Sequence, residues 1–108
     1  MDRSEQKARK ILKYSSIHFL GQELENAEIP FYFHEAYNGW QILYPSKENR
    51  ICSIIEHEFS FGSDDDLLEI YGIDENGDKC SDAIGHLTTE EVFSIIKKHY
   101  QKSTKNKP

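Results

Sequence analysis

Three consecutive residues, Glu56-His57-Glu58, carry the densest set of acid-base and metal-ligating groups in the chain. In a strand successive side chains point to opposite faces, so the two glutamates share one face and the imidazole takes the other. The three cannot converge on one ion. Pairing across a hairpin gives a better constellation: with a turn centred on Gly62-Ser63, His57 faces Glu69 and Ile55 faces Tyr71. A carboxylate beside an imidazole fixes its tautomer and raises its basicity. His57 and Glu69 are therefore the only candidate catalytic residues, and the expected role of the pair is structural, with the His57 pKa raised.

The remaining clusters fit known site chemistries poorly. Asp64-Asp65-Asp66 and the loop Asp74-Glu75-Asn76-Gly77-Asp78 lack the alternating oxygen ligands and terminal glutamate of a twelve-residue calcium loop. His34, His57 and His86 with Cys52 and Cys80 match no zinc-ligand spacing. No G-x-S-x-G is present, and neither cysteine has a basic neighbour in sequence that would activate it. No metal and no cofactor is expected.

The elements that must position these groups are legible from periodicity. Between Asp2 and Ala27 apolar residues recur at Ala8, Ile11, Leu12, Phe19, Leu20 and Leu24, spacings of three, four and seven that predict a helix, with Ser15-Ser16 as a point where it divides into two. The pattern FYFHEAY-NG-WQILY predicts a hairpin turning on Asn38-Gly39, which pairs Tyr37 with Trp40, Glu35 with Ile42 and Phe33 with Tyr44. That register turns Phe31 and Phe33 to the core and leaves Tyr32, His34, Ala36, Gln41 and Leu43 on the other face. Residues 51–73 read as two central strands around an acidic turn, and residues 81–86 as a short edge strand. Thr88-Thr89-Glu90-Glu91 has the spacing of a capping box, so a helix starts there, with Val92, Phe93, Ile95, Ile96 and Tyr100 as its apolar stripe.

The predicted fold is α+β: an antiparallel sheet of four to five strands flanked by an N-terminal and a C-terminal helix. Residues 1–102 form one domain, and residues 103–108, STKNKP, a disordered basic tail. Helices that cover one sheet face leave the other uncovered. Tyr32, His34 and Leu43, with either Ile54, Leu68 and Ile70 or their odd-numbered neighbours, are then the expected partner-binding surface. Its occupant is a protein partner or a second copy in a homodimer.

Charge is unevenly spread. The net charge is −6, yet residues 1–13 carry +3 and residues 92–108 carry +5, which leaves −14 between them. The basic ends offer a nucleic-acid surface, but the acidic body repels phosphate, so nucleic acid is not the expected partner. The N-terminus lacks a secretory apolar segment, the two cysteines have no C-x-x-C spacing, and no apolar run is long enough for a bilayer. A soluble, cytoplasmic protein is expected.

Three stretches, NGWQILYPS, ICSIIEHEFSFGSDDDLLEIYGI and GHLTTEEVFSIIKKHY, resemble small uncharacterised proteins of phages and prophages of Gram-positive bacteria, over residues 28–101. The resemblance implies a phage or prophage accessory protein and carries no activity, cofactor or residue role to this chain. The segment MDRSEQKARKILKYSS is longer than is usual in that group. Protein–protein binding is the expected function, with a small enzyme using His57 and Glu69, or a nucleic-acid-associated protein using the basic ends, as alternatives.

Overall fold

The computed structural model describes residues 13–105. The part of the expected N-terminal helix over residues 2–12 lies outside them. Helix α1 spans Ser15–Asn26, followed by strands β1 (Tyr32–Ala36), β2 (Gly39–Tyr44), β3 (Cys52–Glu56), β4 (Leu68–Ile73) and β5 (Lys79–Leu87), and helix α2 (Thr89–Lys105) closes the chain. The strands form one antiparallel sheet in the order β1-β2-β3-β4-β5. The fold is α+β, with α1 packed on β2 and β3, α2 on β4, and the two helices against each other.

Helix α1 buries Ile17, Leu20, Gly21 and Leu24, one face at helical spacing. It stops in a Schellman arrangement: Ile29 N donates to Leu24 O at 3.0 Å and Glu28 N to Glu25 O at 3.1 Å, with Glu28 left-handed at φ 59°. Ile29 and Leu24 are both buried, the apolar contact that accompanies such a stop. Helix α2 begins as its sequence predicts, with Glu91 N donating to Thr88 Oγ1 at 3.2 Å and Thr88 N to Glu91 Oε1 at 3.0 Å. It continues to Lys105, through the Ser103 and Thr104 expected in the tail. Their hydroxyls donate to the carbonyls of Tyr100 and Gln101 one turn back.

Two registers differ from expectation. The β1–β2 turn is formed by Tyr37 and Asn38, both at positive φ (47° and 60°), so Glu35 pairs with Trp40, Phe33 with Ile42 and Tyr32 with Leu43. Gly39 is needed elsewhere: a Cβ there would lie 2.2 Å from the Glu56 carbonyl oxygen, so β2 and β3 approach only where the side chain is absent. The slip is by two residues, and side-chain alternation has period two, so residues within the strands keep their expected faces, whereas Tyr37, expected opposite Trp40 on the core side, falls in the turn and is exposed. Trp40, Ile42 and Tyr44 are accordingly buried.

The β3–β4 register also shifts by two. Ile55 pairs with Glu69 and Ser53 with Tyr71, while His57 lies beyond the ladder. The connection is a folded loop over residues 57–67 rather than a tight turn at Gly62-Ser63. The Ser60 hydroxyl accepts from His57 N at 3.0 Å and donates to His57 O at 2.9 Å, and a 3-10 turn, Ser63–Asp65, sits between left-handed Gly62 (φ 103°) and Asp66 (φ 55°). Ile54, Leu68 and Ile70 face the helices and are fully buried, so the odd-numbered neighbours occupy the face that no described helix covers.

Candidate protein-binding face

The long loop is anchored through two carboxyl groups. Helix α1 has no capping side chain of its own at Tyr14, and the groups that satisfy its first amides come from the far side of the chain. Asp66 Oδ1 accepts from Ser16 N at 3.0 Å, Asp66 Oδ2 accepts from the Ser15 hydroxyl, and the Ser16 hydroxyl donates to Asp66 O at 2.6 Å. Glu56 Oε1 accepts from Ile17 N at 3.1 Å. Unpaired amides and the helix dipole make this end a natural seat for negative charge.

Two charges are not seated there. Glu56 is fully buried, and burial pushes its pKa up to about 9, helped by its hydrogen bond to Asp66 and by the Asp66 charge. Burial also works against the Asp66 charge, but hydrogen bonds from Glu56, Ser15 and Ser16 outweigh it and hold the carboxyl below its ordinary range. Glu56 Oε2 is buried and accepts from no donor among the described residues, and the opposite directions of the two shifts fit Glu56 as the acid and Asp66 as the carboxylate of a pair sharing one proton. Nearby, His18 packs between Phe33 and Trp40, with ring centroids 5.2 and 4.7 Å away. Burial lowers its pKa against the pull of Asp66.

With Asp66 tied to the helix side, residues 57–62 curl onto the opposite face of the sheet. A Cβ at Gly85 would meet the Phe61 Cβ at 2.5 Å, and Phe61 N donates to Glu69 Oε1 at 2.8 Å, so the loop lies directly on β5 and β4. Beside it Tyr37, His57 and Phe59 form an edge-on aromatic group with centroids 5.2 to 6.2 Å apart. Phe59 is 70% exposed, Tyr37 69% and Phe61 65%. Across the rest of this face runs a polar row in which His34 Nε2 meets Gln41 Oε1 at 2.6 Å and Gln41 Nε2 donates to the Ser53 hydroxyl at 2.7 Å.

The expected partner residues take different places here. Tyr32 is exposed, with the Lys47 ammonium 5.6 Å above its ring, His34 is half-buried within the polar row, and Leu43 is only 5% exposed. Tyr71 and Ile55 complete the face from the central strands. The charge is one-sided. Residues 33–46 and 51–78 contain no Lys or Arg, while Glu58, Asp64 and Asp65 are exposed on and beside the loop that carries Phe59 and Phe61.

His57 and Glu69 do not form the expected cross-strand pair. His57 is buried and its Nδ1 accepts from Phe59 N at 3.1 Å, which puts the ring proton on Nε2. Burial lowers its pKa and outweighs the opposing fields of Glu69 and Glu58, so the expected upward shift is reversed. Cys52 is buried with its thiol pushed up to about 12 by burial, and Cys80 is half-buried. Asp74 accepts from the amides of Asn76 and Asp78 within its own loop. Among the described residues no group of three or more His, Cys, Asp or Glu is placed to hold a metal ion, and no helix is long and apolar enough to cross a membrane.

Sequence reasoning passed over Glu56–Asp66 and the two exposed phenylalanines. Nothing in the spacing marks the carboxyl pair, since its third member is the start of a helix, with Ile17 lying 39 residues before Glu56. Phe59-Ser60-Phe61 did carry a signal: two aromatics flanking a serine in a turn without a basic residue are badly placed for a core. No protein-family model, curated protein or solved structure matches the chain.

Proposed function

We propose that the protein acts by binding another protein through the uncovered sheet face and its aromatic end, and that the partner presents a basic, partly apolar surface. One observation carries this reading: Tyr37 and Phe59 stand exposed in one aromatic group with His57, Phe61 is exposed on the same loop, and Glu58, Asp64 and Asp65 are exposed around them in stretches 33–46 and 51–78 that contain no Lys or Arg. Burying a phenylalanine side chain on docking contributes about 1.5–3 kcal/mol. The carboxylates select a cationic partner and speed its approach. The same charge disfavours nucleic acid, and the basic end of α2 is partly occupied within the fold, because Lys98 and Lys102 donate to the carbonyls of Glu75 and Asn76. The assignment to a phage or prophage accessory protein rests on the wording of residues 28–101 alone.

Affinity capture from a Gram-positive lysate tests the reading, with wild type beside Phe59→Ser/Phe61→Ser and Glu58→Lys/Asp65→Lys. The expected catch is a basic protein retained by wild type at low salt, released as salt rises, and lost with either double substitution. Capture that survives both substitutions contradicts the reading. So does a stable homodimer by light scattering that the phenylalanine substitutions split, because the face would then belong to a second copy.

A further inference from the structure

At the opposite end of the strands lies a cleft of about 780 Å³ whose lining includes Arg50, Ile51, Tyr71, Lys79, Ser81 and His99. A register irregularity builds it. Tyr71 pairs with Ala83 and Ile73 with Lys79, so one residue of β4 lies opposite three of β5, and residues 80–82 bulge outward. The Cys80 sulfur accepting from Asp82 N at 3.4 Å braces the bulge. Gly72 sits at φ 123°, where a Cβ would be 2.4 Å from the Ile51 carbonyl oxygen, so β3 closes tightly beneath.

The lining offers donors and no carboxylate. Tyr44 keeps its proton, since burial, with Cys52 and Tyr100, pushes its pKa up to about 12. His99 Nδ1, 2.8 Å away, is the acceptor for that hydroxyl. Burial and then Lys102 lower the His99 pKa, so the ring is neutral and carries its hydrogen on Nε2. Among the described residues Arg50 and Lys79 pair with no carboxylate, whereas Lys102 is bound to Asp78 at 3.0 Å. What sets these two cations apart is that they line one cleft without a carboxylate, in a chain with 19 Asp and Glu against 13 Lys and Arg.

We propose that this cleft is a binding site for a small organic phosphate whose ester group carries a flat, apolar body. Arg50 and Lys79 match the two charges of a phosphate monoester, and the guanidinium supplies paired donors at the spacing of two phosphate oxygens. The Ser81 hydroxyl and the His99 Nε2–H add neutral donors. Tyr71 and Ile51, both partly exposed, cover the body of the ligand. The volume falls in the range of small-molecule sites. The cleft lies at the other end of the sheet from Phe59 and Phe61 and shares only Tyr71 with the proposed protein-binding face, so its phosphate chemistry does not rest on that reading.

Amide NMR titration tests it, using adenosine monophosphate, adenosine and inorganic phosphate as probes. The expected result is saturable binding of the monophosphate, with shifts centred on Arg50, Gly72, Lys79 and Ser81, and affinity roughly tenfold or more above that of either fragment. Arg50→Ala and Lys79→Ala should each weaken binding roughly tenfold at unchanged thermal midpoint, and Lys97→Ala should leave it intact. Three results overturn the proposal: no saturation at millimolar monophosphate, shifts spread over Lys97, Lys98 and Lys102, or equal binding of the monophosphate and one of its fragments.

Discussion

Replacing Glu56 by glutamine should stabilise the protein at neutral pH, and the gain should grow as pH rises. In the folded chain the Glu56 carboxyl titrates at about 9, against 4.5 for the ordinary group. Between those values the folded chain holds a proton that the unfolded chain has released, so this group's contribution is fully present below about 4.5 and falls as pH rises towards 9. One proton is worth about 1.4 kcal/mol per pH unit, which makes the burden at pH 7 roughly 3 kcal/mol at most. Because the Asp66 carboxyl shares that proton, we expect about 1–3 kcal/mol to be recovered. The glutamine amide in Glu56→Gln keeps an oxygen to accept from Ile17 N and an N–H to donate to Asp66, and takes up no proton. Urea unfolding of both proteins at pH 5, 6, 7 and 8 reads the effect directly. The titrating histidines are common to both chains and cancel. A stability difference independent of pH would show Glu56 ionised in the folded state and refute the shared-proton pair.

Other substitutions probe separate parts of the account. His57→Gln should flatten the acid limb of stability: a buried neutral imidazole contributes fully above the unfolded value of about 6.5 and is lost as pH falls through its lowered folded value, which a pH series of thermal midpoints detects. A thiol reagent should modify Cys80 alone in the native chain and both cysteines after unfolding, because the Cys52 thiol is buried and pushed up to about 12; rapid native modification of Cys52 would contradict its placement. Glu28→Gly should raise stability by about 1 kcal/mol, since a left-handed φ of 59° strains any residue with a Cβ; an unchanged urea midpoint would argue against the Schellman stop.

Features set by short-range chemistry were legible. The Thr88–Glu91 box joins groups three residues apart, and the strand faces follow from alternation, which survived both two-residue slips. The registers were not legible, because Asn38-Gly39 has the composition of a two-residue turn while Gly39 answers to the approach of β3, a tertiary demand. The same holds for the 57–67 loop, whose shape depends on Asp66 reaching the first turn of α1. Of the residues expected on the open face, Tyr32 is exposed, His34 half-buried and Leu43 buried, and the exposed aromatics Phe59 and Phe61 come from the loop. His57 shows how one register error propagates: moved past the end of β3, it exchanges a carboxylate partner for a backbone amide, and its shift changes sign.

The claim that the acidic aromatic end docks a basic protein surface is tested most directly by site-specific photo-crosslinking in Gram-positive cells. A photoreactive phenylalanine analogue is placed at Phe59, at Phe61 and, as a control on helix α1, at the comparably exposed Phe19. Adducts at positions 59 and 61 to a lysine- or arginine-rich segment of one protein, absent at 19, are the predicted result. Adducts only at 19, or crosslinks at 59 and 61 to acidic segments or to the chain itself, would contradict it.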